Sequence, residues 1–365
     1  MRPSVTVRNT IVAAAALALA AVPSMASAAT TWSVAHPPYT AVDNVPYAPL
    51  NAITAISATN VWTVGQDSGT PQINHWNGSK WSQSALPSGP CSVFEADCAF
   101  TGVSADSASD VITIGEGTIP TSSGWVTEAL AYRWNGTAWS QLTVPSSVIY
   151  NEMEHIQAFS PTDAWAVGVG SSATGATVAT ALNWNGSTWS QVATPVSTTN
   201  DLSVNAISGT SASDIWVVGE TVTPGYHNRQ FTSVIMHYNG SSWTQVAAPD
   251  NSGLLDVDAV SPTDAWAIAA DGSVLNWNGT AWTVATQLAE GNTAIAALSA
   301  TDVWVAGVVS LSHYNGTSWT STSDPAGVNA LTGHAVLSPG DIWFSGYYYP
   351  SNAVTAPAVL STTGG

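Results

Sequence analysis

The stretch His75-Trp76-Asn77-Gly78-Ser79-Lys80-Trp81 contains the pattern on which the fold of this chain depends. An aromatic residue is followed by Asn-Gly, two further residues and Trp, and this pattern occurs six times. The copies begin at Trp76, Trp134, Trp184, Tyr238, Trp277 and Tyr314. Asn-Gly between two short apolar runs is typical of a β-hairpin, because both residues tolerate the positive φ that a tight turn needs. We therefore expect six hairpins of the same kind.

A second motif alternates with the first along the chain. It is a Ser-[Ala/Pro]-[Thr/Ser/Gly]-[Asp/Asn] turn before an apolar pair, and it occurs seven times. The copies start at Ser57, Ser107, Ser160, Ser211, Ser261, Ser299 and Ser338. Successive copies are 50, 53, 51, 50, 38 and 39 residues apart. A repeat of roughly 40 to 50 residues is typical of a four-stranded propeller blade.

The residues around the first copy predict four short strands. Apolar and β-branched residues dominate residues 51–57, 61–65, 73–76 and 81–83, with turns between them. No part of residues 29–365 has a sustained helical period. The fold class that we expect is therefore all-β, a seven-bladed β-propeller of four-stranded antiparallel blades in a single domain.

The two ends of the chain predict how the ring closes. Blade seven has two strands up to Phe344 and a third at Ala356–Leu360, but no hairpin and fourth strand follow. Residues 31–37 (Thr-Trp-Ser-Val-Ala-His-Pro) resemble residues 243–249 (Trp-Thr-Gln-Val-Ala-Ala-Pro), which begin with a fourth strand. We expect the N-terminal strand to complete the last blade, so that no sheet edge stays open.

Residues 1–28 have the features of a cleaved signal peptide. Arg2 and Arg8 precede an apolar run from Ile11 to Val22, and Ala26-Ser27-Ala28 fits a cleavage site. The run is too short for a membrane-spanning helix. We expect a secreted, extracellular protein of residues 29–365 with no membrane span. The alanine-rich, weakly charged signal is typical of bacteria, so we expect no glycans on the Asn-Gly-[Ser/Thr] sequons.

The charge balance narrows the classes of partner. Residues 29–365 contain three cations (Lys80, Arg133 and Arg229) and 23 carboxylates, a formal charge of −20. Such a surface repels phosphate groups, which argues against nucleic acids and anionic membranes. The acidity has two interpretations, solubility or attraction of divalent cations and cationic partners. We expect a monomer.

Cys91 and Cys98 are the two cysteines of the chain. They bracket six residues of one loop in a chain with an export signal, so a disulfide is expected. The bridge could staple the loop alone, or hold Phe94, Glu95 and Asp97 in place for a ligand.

Most tryptophans follow the repeat. Of eighteen, seventeen recur at fixed positions in the second, third and fourth strands, which is the pattern of packing between blades. Trp125 lies outside the pattern, in the long link between strands two and three of blade two. A tryptophan in such a link is the best single candidate for a binding aromatic.

Polar residues that recur once per blade are assigned to the fold. His75, His237 and His313 each precede the aromatic residue of a hairpin, so they are too far apart to share a metal ion. The Asp that ends each Ser-x-x-Asp motif is expected to hydrogen-bond its own turn.

Blades one to four are longer than blades five and six. The extra residues fall in links between blades and between strands two and three, which share one face of a propeller, and insertions on one face often mark a binding face. We expect the ligand there. The candidate residues are Phe94, Glu95, Asp97, Glu116, Trp125, Glu128, Tyr150, Glu152, Glu154, His155, Glu220, Tyr226, His227 and Arg229. Carboxylates beside aromatic residues fit a polymer or, at Glu152 and Glu154, Ca²⁺.

The blade pattern resembles that of secreted bacterial β-propeller repeat proteins, whose blades have the form Ser-x-x-Asp-Val-Trp-Ala-Val-Gly and then His-Trp-Asn-Gly-x-x-Trp. Here the copies are Ser299-Ala-Thr-Asp-Val-Trp-Val-Ala-Gly307 and His75–Trp81, and the likeness covers essentially all of residues 29–365. The strand layout is similar to that of kelch and galactose-oxidase-core blades, but the kelch Gly-Gly pair, the Asp-box and the WD signature are missing. The resemblance implies the fold and leaves the activity open.

Three functions remain open from the sequence. The leading hypothesis is a non-catalytic binding propeller that engages a glycan, a polymer or a surface protein on the long-link face, with no cofactor other than a possible Ca²⁺. The second is a hydrolase or lyase that uses Glu152, Glu154 and His155 as acid/base groups, with or without a divalent ion. The third is a structural or matrix protein.

Overall fold

A computed structural model describes residues 30–39, 47–92, 96–122, 124–145, 149–223, 229–249, 251–308, 310–325, 328–338, 340–351 and 354–362. The described residues from Thr31 onward form one compact unit. It consists of seven antiparallel sheets, each built from four strands in sequence order except at the ring closure, and one of them carries an additional short strand. The predicted seven-bladed propeller is confirmed.

Each of the first six blades takes its four main strands from one continuous stretch of chain. Blade 1 contains β2 (Leu50–Ser57), β3 (Asn60–Asp67), β4 (Thr70–Trp76) and β5 (Trp81–Gln83). Blade 2 contains β6 (Asp97–Ser107), β7 (Asp110–Thr121), β8 (Gly124–Trp134) and β9 (Trp139–Gln141), and a 3₁₀ turn at Pro90–Ser92 precedes it. Blade 3 contains β10 (Ile149–Ser160), β11 (Asp163–Ser171), β12 (Thr177–Trp184) and β13 (Trp189–Val192), and β14 (Ser197–Thr198) pairs with β12.

The remaining blades follow the same order. Blade 4 contains β15 (Asp201–Ser211), β16 (Asp214–Val222), β17 (Phe231–Tyr238) and β18 (Trp243–Val246). Blade 5 contains β19 (Leu254–Ser261), β20 (Asp264–Ala269), β21 (Ser273–Trp277) and β22 (Trp282–Gln287). Blade 6 contains β23 (Asn292–Ser299), β24 (Asp302–Gly307), β25 (Ser310–Tyr314) and β26 (Trp319–Ser323).

The N-terminal strand closes the ring, as predicted. Blade 7 contains β27 (Ala330–Ser338), β28 (Asp341–Ser351), β29 (Val354–Ser361) and, as its fourth strand, β1 (Ser33–Ala35). The register pairs Ser33 with Ser361 and Ala35 with Val359. The first and last parts of the propeller are therefore hydrogen-bonded in one sheet, and blade 7 has four strands like the other blades.

Tryptophans pack the blades against one another. The second-strand Trp of one blade meets the fourth-strand Trp of the next blade edge to face, as in Trp62–Trp139, where the ring centroids are 5.5 Å apart. Blade 2 has the buried Ile112 where the other blades have the second-strand Trp. The other Trp pairs are Trp165–Trp243, Trp216–Trp282, Trp266–Trp319, Trp304–Trp32 and Trp343–Trp81. The assignment of these residues to blade packing is correct.

The Asn-Gly hairpins differ in detail from the expected tight turn. Trp76 pairs with Trp81, so the loop has four residues, and only its glycine, Gly78, has a positive φ. Asn77 acts through its side chain, since its Oδ1 accepts the backbone N–H groups of Ser79 and Lys80. The other five copies repeat these two hydrogen bonds.

The prediction that the aspartates of the Ser-x-x-Asp motif hydrogen-bond their own turns is wrong. It is the serine that caps the turn, as Ser57 Oγ does for the Thr59 N–H. In six blades the Asp or Asn instead binds a third-strand side chain, as where His237 Nε2 lies 2.7 Å from Asp214 Oδ1, whereas Asp341 of blade 7 accepts the Nε1–H of Trp343. The equivalent pairs are His75–Asn60, Arg133–Asp110, Asn183–Asp163, Asn276–Asp264 and His313–Asp302.

Candidate functional site

The antiparallel order of the strands gives the propeller two different faces. Turns from the first to the second strand and, in blades 1 to 6, from the third to the fourth strand lie at one end of the blades, and we call this the hairpin face. Links from the second to the third strand and from one blade to the next lie at the other end, and we call this the connection face.

The hairpin face is polar and closely bonded. Six hairpin glycines approach the first-to-second-strand turn of their own blade, and a Cβ on Gly78 would lie 2.8 Å from Thr59 Cβ. The motif Asp or Asn is held by a third-strand side chain in six blades, as described above. Polar groups on this face are therefore largely engaged with one another.

Exposed apolar side chains concentrate on the connection face. Among the described residues, eight large hydrophobic side chains are exposed. Six belong to the connection face: Tyr47, Trp125, Val126, Phe231, Val308 and Tyr349. Val284 lies in a fourth strand on the outer rim, and Leu337 lies beside the first turn of blade 7 on the hairpin face. This asymmetry is not required by the fold, because both faces are made of exposed turns.

Trp125 lies near the tip of the β7–β8 hairpin, which has the longest paired ladder on this face among the described residues. The strands β7 and β8 pair without a register shift from Val111↔Trp134 to Thr121↔Gly124. Trp125 is 58 % exposed, and its backbone is paired with Pro120 in the regular ladder. A large exposed ring on a paired strand loses less entropy on binding than one on an unpaired loop.

A tyrosine cluster lies where blade 7 meets blade 1. Tyr47 and Tyr349 are each 53 % exposed, and the rings of Tyr349 and Tyr347 are 5.4 Å apart. Burial raises the pKa of Tyr347, and the hydroxyl of Tyr349 and the neighbouring Tyr47 raise it further. The three tyrosines therefore form one local group.

Hydrogen bonds fix the backbone of this cluster from two sides. Ser68 donates its N–H to the Tyr47 carbonyl at 2.8 Å, and Ser68 is the one described non-glycine residue with a positive φ, at 50°. Asn329 accepts the Tyr349 N–H with Oδ1 at 2.6 Å and donates its own N–H to the Tyr347 carbonyl. The exposed tyrosines therefore stand on a preorganised backbone.

The disulfide lies next to this region. Cys91 and Cys98 are bonded, with their Cα atoms 6.0 Å apart, so the predicted pair is confirmed. Gly117 is required beneath it, because a Cβ there would come 2.5 Å from the sulfur of Cys98. Asp97 is exposed at the start of β6 and reaches the Ser68–Gly69 turn, where its Oδ1 is 2.9 Å from the position of a Gly69 Cβ. Phe94 and Glu95 lie outside the described residues.

The two carboxylates predicted beside Trp125 are not brought together. Glu128 pairs with Gly117, whereas Glu116 pairs with Ala129, so successive side chains place the carboxylates on opposite sides of the blade. Glu128 is exposed and its side of the sheet faces blade 1, while Glu116 is half-buried on the side that faces blade 3. Trp125 lies on the same side as Glu116.

The segment from Tyr150 to His155 is part of a strand, not of a connecting loop. All of it belongs to β10, the first strand of blade 3. The side chains of Tyr150 and Glu152 lie outside the described residues. Glu154 is half-buried at a register shift between Met153 and His155. His155 lines the central cavity and Glu154 does not, so the two adjacent residues face different surroundings.

Two other candidates, Tyr226 and His227, also lie outside the described residues. Arg229 follows them and is exposed next to β17. Glu220 lies near the end of β16, and burial raises its pKa. The expected Ca²⁺ site at Glu152 and Glu154 stays a prediction, and the described residues contain no group of three or more His, Cys, Asp or Glu side chains placed to hold a metal ion.

The central cavity of about 320 Å³ is lined by the first strands of all seven blades. Each of these strands has a register shift six residues before its motif serine. In five blades the shifted residue donates a side-chain hydrogen bond to a backbone carbonyl of the following blade. These bonds are Asn51 to Phe100, Thr101 to Met153, Asn205 to Leu254, Thr293 to Leu331 and Thr332 to Leu50. These hydrogen bonds connect neighbouring blades around the wall of the cavity.

An ionic cluster that the sequence analysis missed spans this cavity. His334 of blade 7 lies 3.0 Å through Nδ1 from Asp256 Oδ2 and 3.5 Å through Nε2 from Asp258 Oδ2 of blade 5. Burial lowers the pKa of His334, but the two carboxylates outweigh it and hold the pKa well above its ordinary value. Opposite charges in a site shielded from water interact strongly.

The two aspartates of the cluster have most of their oxygen lone pairs occupied. Asp256 accepts the N–H groups of Val257 and Ile295. Asp258 accepts the Ala297 N–H and the Ser208 hydroxyl. These bonds tie blade 5 to blades 4 and 6, so the cluster has the connectivity of a structural clamp and offers little to a ligand.

The chemistry of His155 differs from that of His334. Burial lowers the pKa of His155 to about 4, and the Asp256 carboxylate offsets only part of this effect. A base with this pKa accepts protons poorly at pH 7. The cavity therefore holds one charged and one neutral imidazole at neutral pH.

An alignment of the seven first strands on the motif serine distinguishes His334 and Asp258 from the residues at the same positions in the other blades. Four residues before that serine, six blades have Ile or Val and blade 7 has His334. Three residues before it, blade 5 has Asp258 where the other blades have uncharged residues. A charged residue at a position that is uncharged elsewhere in the repeat marks the cluster.

No protein-family model matches the chain, and no curated protein matches it in sequence. Within the described ranges there is no helical segment with the length and apolarity required of a membrane span.

Solved structures are similar in fold. YCF48 bound to a D1 peptide has a TM-score of 0.59 at 16 % identity, covering 90 % of this chain and 96 % of that chain. YCF48 from Cyanidioschyzon merolae has a TM-score of 0.56 at 16 % identity, covering 90 % and 98 %. The WD40 propeller domain of Doa1 has a TM-score of 0.53 at 12 % identity, covering 91 % and 95 %. By fold, the chain is a seven-bladed β-propeller of four-stranded antiparallel blades.

Proposed function

We propose that this protein is a non-catalytic binding propeller that engages a macromolecular ligand, a glycan, another polymer or a surface protein, through its connection face. The observation that carries the proposal is the position of six of the eight exposed large hydrophobic side chains on that face. Exposed apolar side chains gathered on one surface are typical of interaction sites, since burying them on binding is favourable.

Trp125 is the proposed anchor in blade 2, with Phe231 and Arg229 at the edge of blade 4. Aromatic and Arg side chains supply most of the binding energy in many interfaces. The export signal predicted at residues 1–28 and the resemblance to secreted bacterial propellers support an extracellular site of action. YCF48, a structural neighbour, has been solved with a bound peptide, which agrees with a binding role on this fold.

The test is a screen of residues 29–365 against immobilised polysaccharides and extracellular proteins, with and without Ca²⁺ and EDTA. The proposal expects saturable binding that weakens in Trp125→Ala with unchanged thermal stability. Because Trp125 is 58 % exposed, its removal leaves the core intact. Binding that is indifferent to every change on the connection face but lost on changes at the hairpin face would overturn the proposal.

A further inference from the structure

A line of three adjacent blades places aromatic rings beside a carboxylate on the connection face. Tyr349 belongs to blade 7, Tyr47 to the link into blade 1 and Asp97 to the start of blade 2. We call these three residues the aromatic arc. All three side chains are exposed.

Contacts with one turn join Tyr47 and Asp97 of the arc. The Ser68–Gly69 turn holds the Tyr47 backbone with a 2.8 Å hydrogen bond from Ser68. The carboxylate of Asp97 approaches Gly69 in the same turn, and Gly69 accepts the N–H of Cys98 through its carbonyl at 2.8 Å. One turn therefore contacts both the Tyr47 backbone and the Asp97 carboxylate, and Asp97 directly precedes the disulfide-bonded Cys98.

The two faces differ in how their carboxylates are paired. On the connection face, exposed carboxylates of the described residues are Asp97, Glu128, Asp201 and Glu290, and the exposed cation of this face within the described ranges is Arg229. On the hairpin face, the motif aspartates of five blades have Arg, His or Asn partners of their own. The formal charge of the whole chain is −18.

We propose that the aromatic arc binds an extended, Lys- or Arg-containing segment of a partner protein. This inference rests on the proposed binding function of the connection face. Tyrosine rings attract cations through their faces, and the neighbouring Asp97 carboxylate adds a direct counter-ion. The acidic surface raises the association rate of a basic segment and repels anionic ones.

The experiment titrates a fluorescent ten-residue lysine peptide into residues 29–365 at an ionic strength near 0.15 M, where long-range attraction is screened. A ten-residue glutamate peptide and neutral cellohexaose serve as the other probes. The double variant Tyr47→Ala/Tyr349→Ala keeps the charge of the protein, so its affinity for the lysine peptide separates ring contacts from bulk attraction. Leu337→Ala is the matched control, an exposed apolar residue on the hairpin face.

The expected result is saturable binding of the lysine peptide that is roughly three- to tenfold weaker in the double tyrosine variant and unchanged in Leu337→Ala. Asp97→Asn should weaken binding more than Glu290→Gln, which removes one exposed charge elsewhere on the same face. Equal affinity in wild type and tyrosine variant, or no saturable binding of the lysine peptide, overturns the inference.

Cellohexaose separates this inference from the proposed function. Tyrosine-dependent binding of cellohexaose without binding of the lysine peptide would reject the basic partner and leave the connection face as a binding surface. Binding that weakens in Leu337→Ala but not in variants of the connection face would reject both the basic partner and the proposed function.

Discussion

Trp32 packs edge to face against Trp304, with ring centroids 5.2 Å apart and an interplanar angle of 78°. Trp32 immediately precedes β1, and Trp304 lies in the second strand of blade 6. The same contact joins a second-strand Trp to the fourth-strand Trp of the next blade at five other interfaces. The N-terminal segment therefore supplies both the missing strand of blade 7 and its repeat tryptophan.

Substitution of Trp32 by Ala should destabilise the whole ring. Loss of a large, half-buried ring at the closure costs roughly 2–4 kcal/mol of unfolding free energy, and the weakened β1 opens a sheet edge. Urea unfolding of wild type and Trp32→Ala measures this. Trp125→Ala is the control and should stay within about 0.5 kcal/mol of wild type. Equal stability of both variants would contradict the closure role of Trp32.

Arg133 is the strongest third-strand partner of a motif aspartate. Its Nε and Nη2 donate to the two oxygens of Asp110 at 2.5 and 2.6 Å, and the Asp110 carboxylate is buried. Arg133→Ala leaves this carboxylate without its cation and should cost about 2–3 kcal/mol of unfolding free energy. Lys80→Ala, a change of an exposed cation, should have no measurable effect in the same urea titration.

The His334 clamp predicts a stability difference that depends on pH. The pKa of His334 is raised in the folded state above its unfolded value of about 6.5. The stabilisation is therefore complete below about pH 6.5 and is lost as the pH rises through the folded pKa. Asp256, Asp258 and His155 are the other titratable groups around it.

Urea unfolding between pH 6 and pH 10 tests this account. The stability difference between wild type and His334→Gln should be largest at the low end and should shrink as the pH rises. A difference that does not change over this range would contradict a protonated clamp.

His155 predicts the opposite trend at acidic pH. Its folded pKa of about 4 lies below its unfolded value of about 6.5, so the unfolded chain takes up a proton first as the pH falls. This residue therefore lowers stability progressively from about pH 6.5 to about pH 4. Replacement by Gln should remove that part of the acid sensitivity. Titration of the His155 ring protons by NMR checks the pKa directly, and an ordinary value near 6.5 would contradict burial of a neutral ring.

The repeat predicts the fold well because each blade contains the same local sequence patterns. The serine turns, the Asn-Gly hairpins and the tryptophan positions are local patterns, and they recur in register. The fourth strand at residues 33–35 could also be predicted, because Trp32 and Pro38 repeat the spacing of Trp243 and Pro249. Long-range pairing then follows from the closed ring.

The candidate site is harder to predict from the sequence, because its residues come from different blades and approach one another only in the folded structure. His155 belongs to a strand that lines the cavity. The alternation of side chains along a strand does not predict the direction of its side chain, because the register shifts at Glu154. Tyr349 lies in a run of three tyrosines that is typical of a buried strand. It is exposed because it lies near the end of β28, on the connection face. The partners of His334 come from blade 5, some 80 residues earlier in the chain.

A comparison of two matched double variants tests the central claim, that the connection face binds the ligand. Trp125→Ser/Tyr349→Ser removes two exposed apolar side chains from the connection face, and Val284→Ser/Leu337→Ser removes two from the rim and the hairpin face. Both keep the charge of the chain. The affinity of each variant is measured for the ligand that binds wild type most tightly in the screen. The account predicts a large loss for the first variant and none for the second, and the reverse pattern would contradict it.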